Sequence, residues 1–269
     1  MTSKEVEVVT GSITAPAANL SYSPGPAENA YFSRITSFVQ YRTIWVIMVD
    51  QDKNCFSASN RRKRETELIA GDQYVPADGS AGGLLTDSLF DAPESIVLTS
   101  SNSAYVTVAS GICLLDFSVN GGYTTYVPLD ITPRSLVFHS GLNLLFMATA
   151  QQIFSYNPAN GTTTNLTATP TNDEYIDGPF EKATFSRLSR IAMINEDTLL
   201  VVDTGNQRLR VIDLNRYVVS SICTSPGISS GGNITHCSVS NPTSVTYFSP
   251  MSILVGTINS ILELSCKYY

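Results

Sequence analysis

Histidine, positive charge and long apolar runs are all scarce in this chain. Its 269 residues include two His and one Trp, and 14% are charged. Two imidazoles, His139 and His236, are too few for a zinc site built from several His side chains. No stretch approaches the roughly 18 uninterrupted apolar residues of a membrane-spanning helix. The opening residues, MTSKEVEVVTG, hold no apolar signal core, so any secretory leader or membrane anchor is expected in segments outside this chain. The formal net charge of −7 argues against a nucleic-acid binder, because such affinity rests on Lys and Arg neutralising phosphates. It leaves room for a local basic patch.

What the chain does have suits strands and turns. Hydrophobic residues make up 43%, enough for a sizeable core, and Tyr, Phe, Val, Ile and Thr are punctuated by Gly, Pro and Asn. A four-residue signature recurs: Ile35-Thr36-Ser37-Phe38, Pro93-Glu94-Ser95-Ile96, Pro133-Arg134-Ser135-Leu136, Leu188-Ser189-Arg190-Ile191 and Pro242-Thr243-Ser244-Val245. Each copy precedes two apolar runs pinched around a turn, clearest in LLVVDTGNQRLRVID (199–213). After each of the first four hairpins comes one more strand-like run, and the fifth lacks it. The N-terminal EVEVVTG (5–11) resembles the outer run ETELIAG (65–71) and has no repeat of its own. The expected fold is therefore all-β: a five-bladed β-propeller of four-stranded antiparallel blades, closed by the N-terminal strand joining the last blade. The repeats run over 32–71, 90–129, 131–168, 183–224 and 242–269 plus 5–11, in one domain spanning 1–269. A β-sandwich is the rival architecture.

The run Asp177-Gly178-Pro179, Ala183-Thr184-Phe185, Leu188, Ile191 and then LLVVDTGNQRLRVID resembles the NHL repeat, with its D-G, A-x-F-x-x-P and D-x-x-N-x-R-I-R elements. Phe90-Asp91-Ala92-Pro93 matches F-x-x-P in the second repeat, while the first, third and fifth repeats lack the D-x-x-N-x-R core. NHL propellers more often have six blades, which makes a six-bladed ring the alternative. Asp203, Asn206 and Arg208 read as structural, with Gly205 and Asn206 supplying φ > 0 in a tight hairpin. The functional alternative is an Asp203–Arg208 pair presented to a ligand. Related propellers include amidating lyases and strictosidine-synthase-like or paraoxonase-like hydrolases, so a catalytic propeller is the lesser alternative.

Loops on a rigid frame carry recognition. The connections 72–89 and 169–184 are long and hold Tyr74, Asp78, Asp87, Asp173, Glu174, Tyr175 and Asp177, the expected binding residues for a protein or glycan ligand. Tyr74 and Tyr175 are candidate aromatic anchors. Asp173, Glu174 and Asp177 sit close enough to suggest calcium, but a solvated acidic loop is the preferred reading, and no metal or cofactor is expected. Four sequons, at Asn19, Asn160, Asn165 and Asn233, fit an extracellular or cell-surface protein. A cytoplasmic NHL scaffold is the alternative. Arg61-Arg62-Lys63-Arg64 reads as a solvated turn. Among five cysteines, Cys223 and Cys237 flank one connection and are the disulfide candidate, whereas Cys55, Cys113 and Cys266 suit small buried positions. A monomeric, non-catalytic recognition module follows.

Overall fold

A computed structural model describes residues 10, 25–71, 83–118, 121–170, 175–222, 239–249 and 252–265. The chain divides into two compact units, Met1–Asp130 and Ile131–Tyr269. Within them the strands form five separate antiparallel sheets, each a meander, and the fold is a five-bladed β-propeller.

The first unit holds two blades. Blade one contains β1 (Gly25–Pro26), β2 (Ile35–Tyr41), β3 (Trp45–Asp50), β4 (Cys55–Asn60) and β5 (Glu65–Ala70), in the spatial order β1-β5-β4-β3-β2. Blade two repeats that order with β6 (Gly83–Leu84), β7 (Ile96–Leu98), β8 (Ser103–Val108), β9 (Gly111–Asp116) and β10 (Tyr123–Pro128). The second unit holds three blades. Blade three is a plain meander of β11 (Ser135–His139), β12 (Leu144–Ala148), β13 (Ile153–Asn157) and β14 (Thr162–Asn165). Blade four contains β15 (Gly178–Pro179), β16 (Leu188–Asn195), β17 (Thr198–Asp203), β18 (Arg208–Asp213) and β19 (Val218–Ile222), and blade five β20 (Pro242–Ser249), β21 (Ser252–Thr257) and β22 (Ile261–Ser265).

Three blades thus exceed the four expected strands. A two-residue strand on the chain's way into each of them adds to its outer edge, pairing Gly25 with Thr66, Leu84 with Tyr123 and Gly178 with Val219. The glycines there sit at φ +141°, +110° and +130°, backbone that side-chain-bearing residues rarely adopt. The residue two places on is buried each time: Ala27, Leu85 and Phe180. Among the described residues blade five has three strands. The expected closing segment 5–11 lies outside the described residues except for Thr10, whose hydroxyl is 2.8 Å from that of Thr66 in blade one.

Burial explains the sequence pattern. The second strand of a blade is covered on both faces, so β3, β8, β12 and β17 are buried along most of their length and read as unbroken apolar runs rather than alternation. The outer strands β5 and β10 mix exposed and buried positions, and β14 is wholly exposed. Connections plug the space between blades. Phe90 packs with Phe56 of blade one, ring centroids 4.6 Å apart and edge-on, and Phe185 joins Phe146, Leu188 and Val201. Burying each such ring contributes about 1.5–3 kcal/mol.

The recurring serine of the four-residue signature has a mechanical role. Ser37 Oγ accepts the N–H of Ile96 at 3.3 Å, and Ser135 Oγ accepts the N–H of Ile191 at 3.1 Å. In each case the serine of one blade's inner strand satisfies a backbone group in the inner strand of the next. In blade four Arg190 replaces the serine and donates to the Arg134 carbonyl of blade three at 3.0 Å.

Candidate recognition site on the fourth blade

The site is built from the end of the 169–184 connection and the turn between β17 and β18. Its foundation is Arg210, a fully buried side chain on β18. Its guanidinium makes four hydrogen bonds: Nε donates to Asp177 Oδ1 at 2.9 Å, Nη1 to Asp203 Oδ2 at 2.9 Å and the Thr184 carbonyl at 3.1 Å, and Nη2 to the Ile176 carbonyl at 2.8 Å. Nη2 also lies 2.7 Å from Asp177 Oδ1 in an ion pair. One guanidinium therefore ties both ends of the segment 176–184 to the sheet, and the Ile176–Thr184 bridge closes it.

Asp203, fully buried, also accepts the Ser186 N–H and the Asn206 side-chain amide, each at 2.9 Å. Burial pushes its carboxyl above the usual carboxylate range, against the opposing pull of those hydrogen bonds and of Arg210. Asp50, at the matching end of β3, accepts the Ser33 and Arg34 N–H groups at 2.8 and 3.0 Å. Phe32-Ser33-Arg34 and Phe185-Ser186-Arg187 thus meet the same acidic cap, a correspondence that the missing D-x-x-N-x-R core of the first repeat concealed.

Two sequence expectations for this hairpin need correction. The positive φ falls on Gln207, at 52°, rather than on Gly205 or Asn206, because four residues rather than two make the turn. Gly205 is required by close approach instead: a Cβ there would lie 2.5 Å from Ser186 Oγ and 2.6 Å from its carbonyl oxygen. The partner of Asp203 is Arg210, not Arg208. Arg208 places its guanidinium 3.9 Å from the Tyr175 ring centroid.

That stacking presents Tyr175, 41% exposed, next to Ile176, 45% exposed. The ring is the surface end of a connected assembly: one face is covered by Arg208, and two residues on, Asp177 is held by Arg210. Asp177 also accepts the Ser221 N–H at 2.9 Å and its hydroxyl at 3.1 Å, so this expected loop acid is committed to holding the loop in place. Asp87, on a different blade, is exposed on a short 3₁₀ turn and accepts the Thr86 hydroxyl. Tyr74, Asp78, Asp173 and Glu174 lie outside the described residues.

Other reactive side chains have local partners. His139 is buried at the end of β11, with Nδ1 accepting the Leu142 N–H at 3.1 Å and Nε2 2.6 Å from the Glu196 carbonyl, to which it donates. Cys55 and Cys113 are free buried thiols, each pushed up to about 12, chiefly by burial. Cys223, Cys237 and Cys266 lie outside the described residues, as do Asn19 and Asn233. Asn160 and Asn165 are exposed. Among the described residues no group of three or more His, Cys, Asp or Glu is placed to hold a metal ion, and no helix is long and apolar enough to cross a membrane.

No family model matches the chain, and no curated protein matches it in sequence. Solved structures do match in fold, and the neighbours are β-propeller proteins. The chain is similar to a structure of the nidogen/laminin complex, with TM-score 0.61 and 12% identity over 86% of this chain and 75% of that one. It is similar to the extracellular domain of a one-component system from Bacteroides thetaiotaomicron, with TM-score 0.58 and 16% identity over 88% of this chain and 28% of that one. A third likeness is to virginiamycin B lyase from Staphylococcus aureus, with TM-score 0.54 and 13% identity over 86% of this chain and 69% of that one. A nidogen/laminin complex, an extracellular domain and a lyase among the likenesses show the fold and leave function to the site.

Proposed function

We propose that this chain is an NHL-like recognition module, without catalytic activity, that binds a protein or glycan through the loop end of blade four. The observation that carries the proposal is Tyr175. It is an exposed aromatic whose position is set by Arg208 above it and by the Arg210–Asp177 pair behind it, so it meets a ligand with little ordering cost. Tyr74, Asp78, Asp87, Asp173 and Glu174 extend the proposed surface. The proposed location is extracellular or at the cell surface, in keeping with the extracellular domain among the similar folds and the exposed sequon at Asn160. Against a hydrolase or lyase reading, both ring nitrogens of His139 are engaged with backbone groups, so this imidazole is not poised as a base.

The test is binding to a glycan array and to immobilised ectodomains of secreted proteins, with wild type and Tyr175→Ala compared on every positive. Loss of the ring is expected to weaken binding by at least about 1 kcal/mol, with Tyr175→Phe retaining most of it. A ligand bound equally by Tyr175→Ala would move the site elsewhere.

A further inference from the structure

Arg42, Arg61, Arg62, Lys63 and Arg64 converge on one end of blade one. Arg42 opens the turn between β2 and β3, and 61–64 form the turn between β4 and β5. In an antiparallel meander these two turns leave the sheet at the same end, and the Arg61 N–H donates to the Ile44 carbonyl at 2.8 Å, fastening one turn against the other. All five side chains are exposed.

The backbone that carries them is set in advance. Asn60, 2% exposed, accepts the Arg62 and Lys63 N–H groups through Oδ1 at 3.0 Å each, and its carbonyl accepts the Arg64 N–H at 2.8 Å. Glu28 lies 3.9 Å from Arg64. Among the described residues Arg42, Arg61, Arg62 and Lys63 form no ion pair. Arg42 reaches toward blade two, where Asn102 Oδ1 is 3.5 Å from its Nη2. In a chain of net charge −7, this is a local inversion of sign that concentrates anions at one place.

We infer that this end of blade one binds a sulfated polysaccharide, a role beyond the recognition site on blade four. Four of the five cations are arginines, whose planar guanidinium engages a tetrahedral oxyanion through two N–H groups at once. Single-stranded nucleic acid would in addition need an open aromatic face for its bases. At this end of the sheet Tyr41 is half-buried, with Arg42 4.9 Å over it and Phe117 5.3 Å away, and Trp45, paired with Tyr41 and Asn60, is half-buried against the core, so recognition here falls to charge and hydrogen bonding.

The experiment titrates the full chain with a heparin dodecasaccharide at about 50 and 200 mM salt. Parallel arms use desulfated heparin and a single-stranded RNA dodecamer. Wild type is expected to bind the sulfated chain with affinity falling steeply as salt rises. Arg61→Ser/Arg62→Ser/Lys63→Ser should lose about tenfold or more in affinity and show a flatter salt dependence, while keeping the wild-type melting temperature. Arg216→Ser, at an 83% exposed arginine in the corresponding turn of blade four, should bind like wild type. Absence of wild-type binding, or equal binding by the triple variant, would overturn the inference. Equal affinity for the RNA or for desulfated heparin would overturn the assignment to a sulfated polysaccharide.

Discussion

Arg210 concentrates the chemistry of blade four in one side chain. A buried ion pair is weak evidence for stability in itself, since desolvation offsets most of its attraction, but removing one partner leaves the other stranded without water. Arg210→Met would leave Asp203 buried with no counter-charge and free both ends of 176–184. The expected cost is about 3–5 kcal/mol, read by urea unfolding, with faster amide exchange across 176–185. Adding Asp203→Leu should recover a large part of the loss; no recovery would mean that the charge imbalance is not the cause. The motif D-x-x-N-x-R-x-R was visible in the chain, yet which arginine meets Asp203 was not. Arg208 and Arg210 are two apart on one strand and share a face. Only depth beneath the loop separates them, and depth is set by the segment 176–184 folding over β18.

At the scale of the element, the turn 204–207 makes opposite demands at two positions. Gly205→Ala should cost about 1–3 kcal/mol, because the new methyl meets the Ser186 backbone, which is itself held by Asp203. Gln207→Gly should be neutral or stabilising by up to about 1 kcal/mol, since it removes a left-handed residue's steric cost. Thermal unfolding of the two variants decides the matter, and the reverse order would restore the two-residue turn read from sequence. The long strands were legible because doubly covered strands must be apolar throughout. The outermost strands β1, β6 and β15 were not, because two residues carry no period. Their trace is a glycine followed two places on by a buried apolar residue, and only Asp177-Gly178 had drawn notice.

For the whole molecule, compartment is tested at the sequons. Asn160 is exposed in the turn between β13 and β14, and its Oδ1 accepts the Thr162 hydroxyl at 2.8 Å. Thr167, the threonine of the Asn165 sequon, is buried, and its hydroxyl accepts the Ile153 N–H at 3.0 Å. Protein made in a eukaryotic secretory host is expected to carry hexose at Asn160 by mass spectrometry, and Asn160→Gln should remove that mass. Glycan absent from Asn19, Asn160, Asn165 and Asn233 together would favour the cytoplasmic scaffold.

The amino-acid order by itself determined the all-β class, the five repeats and the inner hairpin of each, because local apolar runs and turn residues specify antiparallel neighbours without reference to distant chain. It also marked the serine shared by four of the five signatures, though not its task. Tertiary structure decided that Ser37 and Ser135 satisfy backbone of the next blade, that Arg210 rather than Arg208 pairs with Asp203, and that Asp177 belongs to the loop's anchorage. Each of these depends on contacts between residues far apart in sequence. Such contacts are specified by packing and by the need to satisfy buried polar groups, neither of which leaves a periodic mark on the chain.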